Sequence, residues 1–261
     1  MDLKISKVLV DSGRGDNRIS LLVEKEQAEV KRTYLLKQFG KANHYVNELS
    51  ALMRLSQESS EDIVKAICLW RDPSDRQRPG IVLEYLQGWE SSMDYAKRIE
   101  VTNDDIRAIG SRLWDALSRM HNSGLLHADL KPDNVMVDPR TGALKIIDFG
   151  FSVPFHRVQH GGRGNPRYSG PEIAGLVQGP INEAADLWSY ALTVAGWFIC
   201  KDGKNPCSPI RIDHNGDYKF VDPSRLATLP EDVRQILHAL TTQDPLKRKA
   251  IGKSIQPFLT F

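Results

Sequence analysis

The sequence is short of cysteine, of long apolar runs and of any excess of charge, and each shortage closes off a class of protein. Three cysteines, Cys68, Cys200 and Cys207, are too few for a disulfide framework and lack metal-ligand spacing. With no bridging pattern they predict a reducing compartment, or indifference to redox state. The longest apolar run, Tyr190 to Cys200, falls well short of the ~20 residues a bilayer crossing needs, so it predicts a buried helix. The first residues interleave charges with apolar side chains, unlike a signal peptide. Basic and acidic residues nearly cancel, 35 against 33, and the net charge of +2 calls for no nucleic-acid partner. No internal repeat or low-complexity stretch is visible.

What remains is an ordinary globular composition, 41% hydrophobic and 26% charged over 261 residues, enough for one large domain or two small lobes. Val8–Val10, Ile19–Val23, Thr33–Phe39, Ile63–Leu69 and Ile81–Leu86 are short aliphatic or β-branched runs separated by turn-forming residues, which predicts strands. Between the third and fourth, His44–Leu55 carries Val46, Leu49, Leu52, Met53 and Leu55 at helical spacing. After Gly88 the pattern turns helical. Asp104–Asn122 repeats Ile106, Ile109, Leu113, Leu117 and Met120 at three- and four-residue steps, with Thr102 or Asn103 as cap. Pro230–Leu240 and Pro245–Phe261 predict two more helices. A boundary near Leu86 to Gly88 divides a sheet-rich part, 1–86, from a helical part, 87–261.

The densest chemical signal is His127-Ala-Asp-Leu-Lys-Pro-Asp-Asn134, followed by two short strand-like runs, Val135–Val137 and Leu144–Ile147, and then Asp148-Phe-Gly150. A hairpin of those runs brings Asp129, Lys131, Asn134 and Asp148 to one end. Asparagine and aspartate oxygens are hard ligands suited to Mg²⁺, which shares its shell with phosphates. Taken singly, Asp129 and Asp148 would read as turn or cap residues.

In this order the run resembles the catalytic loop and metal-binding motif of eukaryotic-type protein kinases. Further parts follow in the family's order: Lys37 in Leu35-Leu36-Lys37, Glu48, Gly164-Asn-Pro-Arg-Tyr-Ser-Gly-Pro-Glu172, Asp186-Leu-Trp-Ser189 and Arg248. The resemblance implies an α+β, bilobal protein-kinase-like fold with almost nothing appended, a small β-rich N-lobe binding nucleotide and a larger helical C-lobe. It implies an ATP-dependent Ser/Thr protein kinase using ATP and Mg²⁺. Asp129 would orient the substrate hydroxyl and Lys131 neutralise the γ-phosphoryl. Asn134 and Asp148 would hold metal, and Lys37, set by Glu48, would anchor the α- and β-phosphates. Leu83 would be the gatekeeper, and Glu84 to Leu86 the hinge on the adenine edge. His127, Phe149 and Leu52 would form an apolar column rooted on Asp186. Glu48 follows Lys37 by only eleven residues, which predicts a tight connection.

The pattern also departs from the family. The glycine-rich loop is reduced to Gly13 and Gly15, with Arg18 as third position. Leu35 replaces a small residue over the base, and Ala128 replaces the arginine that receives an activation-loop phosphate. Between Gly150 and Glu172 the only hydroxyls are Ser152, Tyr168 and Ser169, so activity independent of loop phosphorylation is expected. Asn165, in place of threonine, is expected to loosen a contact with Asp129. Arg157, Arg163 and Arg167 could dock an acidic partner. A pseudokinase acting as a binding module is the alternative, and a small-molecule phosphotransferase of the same fold a further one. The setting implied is cytoplasmic, or a host cytosol for a secreted effector.

Overall fold

The computed structural model describes the chain apart from residues 1–2, 12–16, 27–28, 58–60, 72–77, 156–163, 179, 202–209, 213–217, 221–222, 256 and 259–261. It divides into two compact units, Met1–Gln87 and Gly88–Phe261.

The first unit runs β1 (Leu3–Asp11), β2 (Arg18–Glu26), β3 (Glu29–Gln38), α1 (Ala42–Leu55), β4 (Ala66–Arg71) and β5 (Pro79–Glu84). Its strands make one antiparallel sheet in the order β1-β2-β3-β5-β4. Side chains alternate between faces along each strand. Leu22, Tyr34, Leu36 and Val82 therefore cluster on one face, while Leu35 and Lys37 share the other. The fourth strand starts later than expected, because Ile63 and Val64 are buried ahead of it.

Helix α1 is rotated from the face its apolar spacing predicts. Glu48, Ala51, Leu52 and Leu55 are buried, at steps of three and four, whereas Val46 and Met53 are 55% and 62% exposed. The reason is Glu48, which must turn inward to meet Lys37. That pairing decides the helix face.

The second unit contains β6 (Glu90–Ser91), α2 (Ser92–Ala96), α3 (Asn103–Asn122), β7 (Leu125–Leu126), β8 (Val135–Val137), β9 (Leu144–Ile146) and β10 (Val153–Pro154). It continues with α4 (Ala184–Cys200), β11 (Ile210–Ile212), β12 (Tyr218–Phe220), α5 (Pro223–Ala227), α6 (Glu231–Leu240) and α7 (Pro245–Ser254). Helix α3 starts in a capping box: Thr102 Oγ1 accepts from Asp105 N at 3.1 Å, and Asp105 Oδ2 accepts from Thr102 N at 2.8 Å. Such a cap contributes about 1 kcal/mol. All five residues of its apolar repeat are buried.

Helix α4 is apolar all round and accordingly central, with α3, α6 and α7 packed against it. Its Tyr190 hydroxyl donates to Gly110 O at 3.1 Å, and burial holds that phenol well above its ordinary range. A Cβ on Gly110 would lie 2.7 Å from the Phe258 ring, so only glycine lets that ring dock on α3. Trp197 Nε1 donates to Ser92 Oγ, which donates in turn to Pro132 O, both at 2.9 Å. Among the described residues, no helix is long and apolar enough to cross a membrane. Cys200 is disulfide-bonded, and Cys68 is free and exposed. The expectation of unbridged cysteines is thus corrected, and with it the argument for a reducing compartment. Cys207 lies outside the described residues.

Candidate active site

In the first unit, only residues 39–41 connect β3 to α1. Lys37 Nζ meets Glu48 Oε2 at 2.6 Å, with the two side chains 6% and 0% exposed. A buried ammonium and carboxylate are tolerated because each neutralises the other. Leu35 sits half-buried on the same strand face as Lys37, directly across from Leu83. Glu84 is fixed twice against Lys65: its N–H donates to Lys65 O at 3.0 Å, and its Oε1 accepts from Lys65 N at 2.7 Å. Leu86 is half-buried beyond it. Gly13 and Gly15 fall between β1 and β2 and lie outside the described residues.

In the second unit, the loop after β7 is tied to the core helix by one carboxylate. Asp186 Oδ2 accepts from His127 N at 2.8 Å and from His121 Nε2 at 2.9 Å, while Oδ1 accepts from Ala128 N at 2.9 Å. Burial pushes the Asp186 carboxyl up, but the His121 hydrogen bond and the neighbouring imidazoles outweigh it and hold it below the usual range. Ala128, with φ of 62°, occupies left-handed backbone that costs an alanine energy. The two Asp186 bonds hold it there. The His127 and Phe149 rings pack with centroids 5.2 Å apart, and His127 Nε2 lies 3.1 Å from Ile147 O.

That tether delivers Asp129, which is 6% exposed. Its Oδ2 accepts from Lys131 Nζ at 3.0 Å and Asn134 Nδ2 at 3.1 Å; its Oδ1 accepts from Asn165 N at 2.7 Å. Asn134 Nδ2 also donates to Asp129 O at 2.8 Å. Asn134 ends a single 3₁₀ turn, Pro132–Asn134, just before β8. β8 pairs with β9, and Ile147 N donates to Asn134 O at 2.9 Å, so Asn134 and Asp148 stand at the same end of one hairpin. Asp148, also left-handed with φ of 63°, accepts Gly150 N at 3.3 Å.

With its nitrogen pinned on Asp129, the Asn134 amide directs its oxygen to the opposite branch, where it remains a hard acceptor. Among the described residues, no group of three or more His, Cys, Asp or Glu is placed to hold a metal alone. An amide oxygen and one carboxylate fit Mg²⁺, which completes its shell with phosphate and water.

Downstream, Glu172 Oε2 accepts from Arg248 Nη2 at 2.7 Å with both side chains fully buried. Burial pushes the Glu172 carboxyl up, against the opposing pull of Arg248. Arg248 also lies 5.1 Å over the Trp188 ring. Of the loop hydroxyls, Ser152, Tyr168 and Ser169 are all buried, and desolvation pushes the Tyr168 phenol up to about 12. Arg157 and Arg163 lie outside the described residues, and Arg167 is exposed.

The structure thus joins Lys37 to Glu48, and joins Asp129 to Lys131 and Asn134 with Asp148 at the same hairpin end. Sequence reasoning missed His121, whose only signal is its place in the last turn of α3, and the close approach to Ala128 O that requires glycine at Gly164. Asn165 does not loosen the contact with Asp129, because the bond runs through its main-chain N–H.

Residues 13–257 match the family described as the protein kinase domain. Among curated proteins, the chain is 32% identical over 181 residues to CBL-interacting protein kinase 1 of Oryza sativa subsp. japonica, covering 64% of this chain and 37% of that protein. It is 29% identical over 195 residues to serine/threonine-protein kinase chk1 of Schizosaccharomyces pombe, covering 69% of this chain and 37% of that one. The aligned part therefore spans little more than a third of these relatives. Among solved structures, a chain in the CAK complex from Chaetomium thermophilum bound to ATP-gamma-S has the same fold, with a TM-score of 0.70. That match has 20% identity and covers 96% of this chain and 89% of the other.

Proposed function

The chain belongs to the protein kinase family, and from that premise we propose that it is an ATP-dependent Ser/Thr protein kinase. The observation that carries this reading is the Asp129 carboxylate held jointly by Lys131, Asn134 and Asn165. In the reaction, the bond from the γ-phosphorus to the bridging oxygen of ADP breaks and a bond to the substrate hydroxyl oxygen forms. Asp129 orients that hydroxyl and takes its proton, and Lys131 balances charge on the phosphoryl group. Lys37, oriented by Glu48, grips the α- and β-phosphates. Leu83, Glu84 and Leu86 border the base, and the resemblance assigns the phosphate-binding glycines to Gly13 and Gly15. Asn134 and Asp148 would hold Mg²⁺, which when bound neutralises phosphate oxygens. The protein's own work is positioning and preset charge.

We infer further that activity needs no phosphate on the activation loop. Ala128 packs with Leu126, Val153, Ile173, Ile181 and Ala185, and Phe151 and Phe155 lean on the same cluster. An apolar contact therefore occupies the place where the family's arginine would await a phosphate. The three hydroxyls between Gly150 and Glu172 are all buried, which supports the same reading. Mass mapping with and without phosphatase tests it, and a phosphate required within this loop would overturn it. An acidic partner docking on the loop arginines, and a cytosolic place of work set by the ATP supply, belong to the proposal.

One observation favours a second reading as a pseudokinase: Leu35 lies on the Lys37 face opposite Leu83, where it adds bulk beside the proposed nucleotide anchor. A small-molecule phosphotransferase is disfavoured by the Glu172–Arg248 pair, which braces the segment that in the family receives a peptide. A thermal shift with ATP and Mg²⁺, alone and together, on wild type and Asp148→Asn separates the first two. Nucleotide at 100-fold its Kd adds roughly 2.7 kcal/mol of apparent stability. A metal-dependent shift lost in the variant, with label passed from γ-labelled ATP to a Ser/Thr peptide library, supports the kinase. No shift at millimolar nucleotide selects the pseudokinase.

A further inference from the structure

We propose that Asn165 is a positioning residue for Asp129, acting through its main-chain N–H, with its own side chain folding the turn that aims it. The inference rests on the kinase reading of Asp129. A carboxylate rotates about its last carbon–carbon bond with its two oxygens turning together, so donors on opposite sides resist that rotation better than donors on one side. Lys131 Nζ and Asn134 Nδ2 both sit on Oδ2, at 3.0 and 3.1 Å. On Oδ1, the Asn165 N–H supplies the restraint at 2.7 Å, a charge-assisted length. With both oxygens held, the plane of the carboxylate is fixed.

The turn that delivers this N–H is built locally. Asn165 Oδ1 does not reach toward Asp129; it accepts from Arg167 N at 3.0 Å, the Asx-turn geometry that asparagine forms on its own backbone. Asn165 O accepts from Tyr168 N, Ser169 N and Ser169 Oγ, each at 2.9 Å. Gly164 completes the approach with φ of 73°. A Cβ there would stand 2.4 Å from Ala128 O, 2.7 Å from Ser169 Oγ and 3.4 Å from Asp129 Oδ1. Only glycine brings the peptide this close to the left-handed Ala128. The family's hydroxyl at this position is thus replaced by a different device, in which side-chain chemistry acts one step removed.

The consequence is a link between two parts of the site. Residues 164–169 run directly into the Glu172 segment, so displacing that segment would release one oxygen of Asp129. A misplacement of about 1 Å at a reacting centre costs on the order of 10²-fold in rate.

The test uses the full chain, three substitutions at Asn165 and one at Asp129. Asn165→Pro removes the N–H and is expected to lower kcat by about 10²-fold, with KM for ATP unchanged. Asn165→Ala keeps the N–H but loses the turn bond, for a loss of about fivefold, the equivalent of one hydrogen bond. Asn165→Ser, which can close the same turn through its hydroxyl, is expected to recover the rate. Independently of turnover, the Asn165 amide proton should be shifted downfield in wild type and move upfield in Asp129→Asn. An active wild type whose amide ignores Asp129→Asn, or an Asn165→Pro variant with unaltered kcat, overturns the proposal. An amide that responds in a protein transferring no phosphoryl group overturns the kinase reading and leaves the bond standing.

Discussion

Asp186 holds Ala128 in left-handed backbone by accepting its N–H at 2.9 Å, although the two residues lie 58 positions apart. The same carboxylate accepts from His127 and His121, so one α4 side chain sets the path of the loop before Asp129. Asp186→Asn exchanges an acceptor for a donor and leaves one loop N–H unpaired, at a cost of about 1–3 kcal/mol. Phosphotransfer should fall further than nucleotide binding, which kcat and a nucleotide titration check together.

A pH dependence follows from the same group. Its carboxyl lies below the ordinary value in the folded protein, so the unfolded chain binds the proton first as pH falls. The stability it contributes is present above its unfolded value and lost as pH drops through its folded one. Unfolding midpoints in denaturant should decline below about pH 4 in wild type, and less steeply in Asp186→Asn.

The Glu172–Arg248 pair is sealed from solvent, so removing one partner strands a buried charge. Arg248→Ala should cost about 3–5 kcal/mol, while replacing both residues by apolar ones of similar volume should recover most of it. Urea titration of the single and double variants measures the difference.

Lys37→Met is expected to abolish the nucleotide-dependent thermal shift and also to destabilise the protein without nucleotide, since Glu48 is left fully buried. Adding Glu48→Gln should restore part of the stability without restoring binding. Thermal melts of the two variants, with and without ATP and Mg²⁺, separate the two effects.

Ala128→Arg drives a long cationic side chain into the cluster of Leu126, Val153 and Ile173. Overpacking of this kind costs about 1–3 kcal/mol. The variant should melt lower than wild type and gain no response to phosphatase.

Motifs that act through local spacing were legible before the fold was known. The run from His127 to Asn134, the hairpin carrying Asn134 and Asp148, and the α3 periodicity all depend on neighbours within a few residues. The face of α1 was not, because Lys37 and Glu48 meet across a connection and override the apolar pattern of Val46 and Met53. Asn165 misled for the opposite reason. Its replacement of threonine predicted a looser contact with Asp129, while the bond is made by a backbone group that every residue except proline carries. The short elements α2, β11 and β12 are too brief to show a period at all.

Ser92 stands between Trp197 and Pro132, accepting from the indole and donating to the carbonyl that begins the 3₁₀ turn of Asn134. Trp197 is fully buried, so its indole N–H senses Ser92 and not solvent. A fluorine placed on that ring would therefore act as a remote gauge of loop seating, its resonance moving whenever the Pro132 carbonyl lets go of the hydroxyl. The apparatus around Asp129 thus carries its own spectroscopic readout, mounted on the core helix and untouched by substrate.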